Sequence, residues 1–326
     1  MKLGVVGGGA WGTALAQVCA EGGDVRLWAL ESETVRDVNE RRENRTFLPG
    51  VPLSERIAAT SELGDLDDCE ALLLVTPAQH VRRVLASLDA KARPLLLCAK
   101  GIEAETHKLM VEVAEDVHPE APLAVLSGPT FADEVAEGLP AAVTLACEDA
   151  ALGQRLLERI ATPSFRPYYS SDVVGAEVGG AVKNVLAIAC GVAAGLKLGK
   201  NARAALISRG FAEMVRFGLA KGAKEETLGG LSGLGDLVLT CSSEASRNMS
   251  YGKALGEGES PAELAKDRVT VAEGVHTAPV LVEAARALGV DMPISETVLA
   301  LIEERMDARD ALTALMTRPL KEERED

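Results

Sequence analysis

The residues Gly7-Gly8-Gly9-Ala10-Trp11-Gly12 follow directly on the apolar run Leu3 to Val6 and open a helical pattern from Trp11 to Ala20. In that position the G-x-G-x-x-G spacing has a mechanical reading. Gly7 makes a tight turn, Gly9 lets the backbone approach a pyrophosphate, and Gly12 lets helix and strand pack closely. The pyrophosphate then caps the helix N-terminus. The bland alternative is a plain strand-to-helix turn, but a strand before and a helix after favour a dinucleotide site.

The rest of the chain agrees with that start. Short apolar runs recur at Val25 to Trp28, Ala71 to Val75, Leu95 to Ala99, Leu123 to Leu126 and Ala141 to Ala146, with helical patterns between them at Ala78 to Leu88 and Thr106 to Val117. Near-continuous apolar strands alternating with helices predict an α/β fold: a Rossmann-type, doubly wound parallel sheet covered on both faces. Phe165 to Tyr169 reads as a last strand. After Ser171 the period changes, and Gly175 to Ala194, Ala202 to Lys221, Ser260 to Asp267, Thr277 to Ala287 and Ile294 to Glu304 all read as helices. A length of 326 residues suits two domains. The expected division is residues 1–174 for the dinucleotide and residues 175–326 for an all-helical domain carrying substrate and catalysis. The charged tail Lys321 to Asp326 is expected to fray.

Charge excludes one class of partner. With 34 Lys+Arg against 49 Asp+Glu the net charge is −15, which repels phosphate backbones over most of the surface and argues against nucleic acid. Any anion site must therefore be local. The six cysteines have no C-x-x-C pair and mostly sit in apolar runs, the pattern of buried reduced thiols. No secretory leader or membrane span is expected, and a cytoplasmic location follows. The four histidines lack metal-ligand spacing, so no metal is expected.

Several polar residues stand where chemistry is performed. Lys100 follows a strand at the carboxyl edge of the sheet, where open α/β sheets bind ligands, although a surface lysine fits equally. Ser127-Gly128-Pro129-Thr130 offers backbone N–H groups and a hydroxyl to an oxyanion, or simply makes a turn and helix cap. Lys183 and Asn184 interrupt a strongly apolar helix among Val178, Val182, Val185, Leu186 and Ile188. A lysine there is desolvated toward the range of proton transfer, unless it snorkels to water from a helix margin. Gly179 and Gly180, on the same face, would clear space for a flat ring or small substrate. Gly233-Leu234-Gly235-Asp236 delivers one carboxylate, which alternatively caps a helix. Ser246-Arg247-Asn248 opens a helix, where an arginine suits bidentate capture of a phosphate or forms a surface ion pair. Glu31, 19 residues beyond Gly12, has about the spacing for a ribose 2′-hydroxyl and favours NAD over NADP. Arg36, Arg41 and Arg42 are the candidates to receive a 2′-phosphate instead, and a solvated helix face explains all three equally well.

Taken together, these segments resemble the bacterial NAD(P)-dependent sn-glycerol-3-phosphate dehydrogenase family, from about residue 2 to about residue 315. The blocks that carry the resemblance are Gly7 to Ala14, Lys100 to Thr106, Leu126 to Phe131, Gly179 to Val185, Asn201 to Gly210, Gly233 to Cys241 and Ser246 to Asn248. The resemblance implies a C-terminal domain of the 6-phosphogluconate dehydrogenase type, with the reaction in the cleft between the domains. It implies reversible NAD(P)H-dependent reduction of dihydroxyacetone phosphate to sn-glycerol 3-phosphate for phospholipid synthesis, in a homodimer. Lys183 matches the proton-transfer lysine, and Lys100 a residue contacting both ligands. Gly128, Thr130, Asp236, Ser246, Arg247 and Asn248 match substrate positions; Ala10, Trp11, Ala132, Arg247, Val271 and Glu273 match cofactor positions. One departure matters: the family often has a basic residue or histidine after the second strand, where this chain reads Ala29-Leu30-Glu31. Two rivals keep the architecture, namely a reductase of a 3-hydroxy acid, 6-phosphogluconate or ketopantoate, and a non-catalytic redox sensor. The Ser246 block and the Lys100-Gly101 context favour the phosphorylated triose, and a sensor needs neither Lys183 nor a phosphate site.

Overall fold

A computed structural model describes residues 1–90, 92–266 and 272–319. The chain divides into two compact units, residues 1–103 with 108–177, and residues 104–107 with 178–326. The tail from Lys321, Asp267 at the end of one expected helix, and Val271 lie outside the described residues.

In the first unit the described residues form one eight-stranded sheet. Its strands are β1 (Leu3–Val6), β2 (Val25–Trp28), β3 (Ile57–Thr60), β4 (Ala71–Leu74), β5 (Leu95–Leu97), β6 (Leu123–Ser127), β7 (Ala141–Ala146) and β8 (Phe165–Ser170), in the order β3-β2-β1-β4-β5-β6-β7-β8. Helices α1 (Ala10–Glu21), α2 (Ser32–Arg41), α3 (Val81–Ala86), α4 (Met110–Val117), α5 (Ala132–Ala136) and α6 (Ala150–Ile160) connect them. Every residue of β1, β4 and β5 is buried, as strands covered on both faces must be. The order reverses between β1 and β4, and such a switch point opens a crevice at the carboxyl ends of the strands.

The sheet departs from the all-parallel expectation at one place. β7 runs antiparallel to β6, with Leu126 opposite Leu145, while β8 is parallel to β7. The connection through α5 turns the chain back beside β6 instead of crossing the sheet. β3 is absent from the sequence reading because Ile57-Ala58-Ala59-Thr60 carries a single large apolar residue.

The second unit is helical, as expected: most of α7 (Val173–Gly195), then α8 (Gly199–Ala220), α9 (Glu225–Leu228), α10 (Asp236–Ser242), α11 (Arg247–Glu257), α12 (Pro261–Lys266), α13 (Glu273–Ala287), α14 (Pro293–Ile302) and α15 (Ala308–Met316). α7 begins two residues before the expected Gly175 because Asp172 caps it, accepting the Gly175 N–H at 2.9 Å. With 23 residues and a mean hydropathy of 1.5, α7 has the length and apolarity of a membrane span, yet 83% of its most apolar window is buried inside the protein. Its apolarity is used in packing. All six cysteines are buried free thiols, and burial raises Cys19 to about 12 and Cys69 to about 11.

One buried acid ties two of these helices together. Glu213 on α8 is 1% exposed and caps α14, accepting the Ile294 N–H at 2.5 Å, the Ser295 N–H at 3.1 Å and the Ser295 hydroxyl at 2.9 Å. Burial pushes its carboxyl up from the ordinary 4.5 to about 7, against the pull of those hydrogen bonds and of Arg216. Between those values the folded chain holds a proton that the unfolded chain has released. The contribution of Glu213 to stability is thus full below 4.5 and lost as the pH rises through about 7. Denaturant titrations should show the wild type losing about 2 kcal/mol relative to Glu213→Gln between about pH 5 and about pH 7.5. Parallel pH profiles for the two proteins would mean that the buried carboxyl ionises without penalty.

Candidate functional site

In the first unit the site begins at the glycine turn. Gly7 has φ of +128°, and a Cβ there would stand 2.9 Å from the Val75 carbonyl carbon; a Cβ on Gly12 would stand 1.8 Å from the Gly7 oxygen. At Gly9, by contrast, no atom lies within 4 Å of a Cβ position. The outer glycines are thus demanded by packing, and Gly9 opens on free space. Gly8, which the spacing leaves unspecified, is demanded as well, because its Cβ would stand 2.4 Å from that of Ala29. The N-terminus of α1 has no side-chain cap and no acidic residue in its first turn. A helix end left this way is suited to an anion. Nearby, the Trp11 indole N–H and the Thr76 hydroxyl are buried without hydrogen-bond partners, and such unpaired groups cluster at functional sites. The turn therefore fits a dinucleotide: an uncovered helix end, space at Gly9, and polar atoms awaiting partners at the switch point.

The other expected residues of this unit surround that edge. Lys100 follows β5 and donates to the Gly128 carbonyl at 3.3 Å, and the Thr130 hydroxyl donates to the same oxygen at 3.4 Å, so these three form one group. Ala10 and Trp11 open α1, and Ala132 opens α5; all three are partly buried against the core. Glu31 is exposed at the N-cap of α2. The three arginines near it are already engaged. Arg36 lies 3.6 Å from Glu33, Arg41 lies 3.4 Å from Asp37, and Arg42 donates to the Ile57 carbonyl at 2.8 Å.

In the second unit the centre is Lys183. Its side chain is 8% exposed, and Nζ lies 2.5 Å from Oδ1 of Asp236, which is 0% exposed. Nζ also donates to the Thr240 hydroxyl at 3.0 Å, and that hydroxyl lies 3.3 Å from Asp236 Oδ1. The lysine does not snorkel. A carboxylate and a hydroxyl replace the water it has lost, which is what a buried ammonium requires. The sequence left Asp236 between capping a helix and touching substrate; the geometry has it holding the lysine. Thr240 was missed, although it stands one helical turn beyond Asp236 on the same face. The role expected for Gly179 is corrected. A Cβ there would stand 2.3 Å from the Ser232 carbonyl oxygen, so the space is filled by the wide π-type turn Leu231–Gly235 that presents Asp236, and not by a ligand.

A second polar chain lies one residue along. Asn184 receives a hydrogen bond from Asn248 Nδ2 at 2.9 Å and donates to Glu273 at 3.4 Å, while Asn248 Oδ1 accepts the Gly274 N–H at 2.8 Å. Asn248 is buried and spends most of its carboxamide on α7 and α13, leaving its backbone and one amide hydrogen for a ligand. Ser246 caps α11 by accepting the Met249 N–H at 3.3 Å, and Arg247 is exposed at the first helical residue, in a first turn without acids. Ser246, Arg247 and Asn248 thus compose an anion-receptive helix end. Among the described residues no group of acids, cysteines and histidines is arranged for a metal.

Comparison with known proteins assigns these features to a lineage. The sequence profile for the NAD-dependent glycerol-3-phosphate dehydrogenase N-terminus matches residues 2–153, and that for the C-terminus matches residues 172–313. The chain belongs to the NAD-dependent glycerol-3-phosphate dehydrogenase family. A glycerol-3-phosphate dehydrogenase [NAD(P)+] of Novosphingobium aromaticivorans is 60% identical over 326 residues, covering 99% of this chain and 98% of the relative. Among solved structures, the Coxiella burnetii glycerol-3-phosphate dehydrogenase superposes with a TM-score of 0.93 at 39% identity, over 97% of this chain and 99% of that one. The Saccharomyces cerevisiae enzyme gives 0.83 at 27% identity, over 97% and 99%. For this glycerol-3-phosphate dehydrogenase family member, the buried pair has a thermodynamic signature. Asp236→Leu should destabilise the fold by about 3 to 5 kcal/mol by leaving the Lys183 ammonium unpaired, and Thr240→Val by about 1 kcal/mol. Adding Lys183→Met to Asp236→Leu should restore most of the loss in chemical denaturation. A double variant no more stable than Asp236→Leu would show that the pair is not the cause.

Proposed function

We propose that the chain is an NAD(P)H-dependent sn-glycerol-3-phosphate dehydrogenase that reduces dihydroxyacetone phosphate at C2, reversibly, and supplies glycerol phosphate for phospholipid synthesis. The observation that carries this reading is the ammonium of Lys183, buried and held by Asp236 and Thr240. Full-length 60% identity to a named glycerol-3-phosphate dehydrogenase favours the phosphorylated triose over the other hydroxy-acid reductases and over a non-catalytic sensor.

When bound, the reduced nicotinamide supplies the hydride that C2 receives. The chain does the rest. Lys183 Nζ stands as the acid: as negative charge grows on the carbonyl oxygen, an ammonium stabilises it more in the transition state than in the ground state, then gives it a proton. In the reverse direction the same nitrogen, neutral, takes the hydroxyl proton. Asp236 and Thr240 fix where that nitrogen stands. Arg247, with the α11 N-terminus, Ser246 and Asn248, holds the substrate phosphate, and its binding energy orients the ketone. Lys100, Gly128 and Thr130 contact substrate, Lys100 touching cofactor too. Gly7, Gly9 and Gly12 seat the pyrophosphate; Ala10, Trp11, Ala132, Arg247 and Glu273 line the cofactor, as does Val271 by resemblance alone. Residues 1–174 serve the dinucleotide, and residues 175–326 serve substrate and catalysis. Six buried free thiols support a reducing, cytoplasmic location, and a homodimer follows from the family resemblance.

Between the two cofactors, NAD is favoured. Glu31 stands after β2, and Arg36, Arg41 and Arg42 each have a partner within the chain. Steady-state kinetics with dihydroxyacetone phosphate should give a higher kcat/KM for NADH than for NADPH; the opposite preference would refute the role of Glu31. In the same assay, Lys183→Met should lower turnover by about 10²- to 10⁴-fold while NADH still binds. Near-normal turnover in a folded Lys183→Met protein would remove the lysine from the mechanism, and no oxidation of NADH by the wild type would remove the activity.

A further inference from the structure

We propose that Asn44, which lies outside the glycine motif, is the positioning residue that aims the glycine turn at the dinucleotide pyrophosphate. The proposal rests on the reading that this turn binds a dinucleotide. Asn44 is 0% exposed, and its Nδ2 donates to the Gly8 carbonyl at 2.8 Å and to the Thr13 hydroxyl at 2.8 Å. Its Oδ1 accepts the Phe47 N–H at 3.1 Å. That assigns the carboxamide's orientation, because a backbone carbonyl only accepts and a backbone N–H only donates. The Thr13 hydroxyl also reaches the Gly8 oxygen, at 3.5 Å.

The consequence lies in peptide geometry. Among the described residues there are no cis peptide bonds, so the Gly8 carbonyl and the Gly9 N–H point in opposite directions across one planar unit. Pulling the Gly8 oxygen inward onto Asn44 turns the Gly9 N–H away from the buried carboxamide. A peptide between two glycines has little steric resistance to rotation, and without an anchor this donor would sample several directions. Asn44 removes that freedom before the ligand arrives, so that binding does not have to order the turn.

Asn44 itself is firmly held. Its carbonyl accepts the Leu48 N–H at 2.8 Å, and the Arg42 carbonyl accepts the Leu53 N–H at 2.7 Å, which folds residues 42–53 into a strap. Leu48, Val51 and Leu53 anchor the strap in the same core as β1 and α1. Arg45, next in sequence, grips the buried Asp37 of α2 with two hydrogen bonds of 2.8 and 2.9 Å, and this hydrogen bonding holds the Asp37 carboxyl below its usual range. The strap spans from α2 to the glycine turn and carries Asn44 between two fixed points.

The test separates positioning from general support of the fold. Binding of NADH, ADP-ribose and adenosine is measured for the wild type, Asn44→Ala and Thr13→Val, with NADH fluorescence as the direct readout and the other two ligands as competitors. Asn44→Ala should weaken NADH and ADP-ribose by about tenfold, the effect of one lost neutral hydrogen bond, and leave adenosine, which has no phosphate, within about twofold. Thr13→Val, which retains Asn44, should weaken the same two ligands by about threefold and serves if Asn44→Ala does not fold. Equal weakening of all three ligands, or no weakening in folded variants, overturns the role of Asn44. Failure of the wild type to bind NADH and ADP-ribose would instead overturn the reading of the turn.

Discussion

An ammonium group has been taken out of water in a long apolar helix, and much of the second unit is arranged to make that tolerable. Isolated in the interior, Lys183 would cost several kcal/mol; beside Asp236 and Thr240 it is matched in charge and hydrogen bonding. The match has structural requirements. Asp236 arrives at the end of the wide turn Leu231–Gly235, and that turn lies close to α7 only because Gly179 has no side chain. Thr240 follows one helical turn later on α10. A glycine, a π-type turn and a short helix thus act together to place one nitrogen.

The same economy appears at the anion sites. A chain of net charge −15 gains nothing from its overall field when it binds phosphates. Its positive potential is local: the N-terminus of α1 and that of α11 both lack acidic residues in the first turn, and α11 adds Arg247. Other helices start differently. α6 and α15 begin at capping aspartates, Asp149 and Asp307, which would repel an anion.

Much of the fold was legible because burial on both faces makes a strand a short apolar run: β1, β4 and β5 are buried throughout, β6 and β7 nearly so, while β2 is interrupted by Arg26 and β8 alternates buried and exposed residues. β3 escaped because two alanines give it little apolar signal, although Ile57 and Ala59 are buried in the core and the strand pairs with β2. The antiparallel β7 escaped for another reason: an apolar run has the same hydropathy whichever way its strand runs. Among site residues, Lys183 and Asp236 stood out because each is charged beside glycine or apolar neighbours, and Arg247 because it opens a helix. Thr240 and Asn44 did not, since threonine and asparagine are ordinary anywhere, and their importance appears only when their partners do.

The sequence by itself determined what depends on local periodicity and on covalent neighbours. This includes the alternation of strands and helices, the change to an all-helical second part, the glycine turn at the head of α1, and the presence of a lysine in an apolar helix. Tertiary structure decided what depends on pairs distant in the chain. Lys183 and Asp236 are 53 residues apart, and Asn44 and Gly8 are 36 apart. Whether a buried lysine is neutralised or stranded, and whether a glycine turn is loose or aimed, are properties of those pairs. A hydrogen bond reaches about 3 Å in space at any separation along the chain, so its existence is settled only when the elements carrying its two ends have packed.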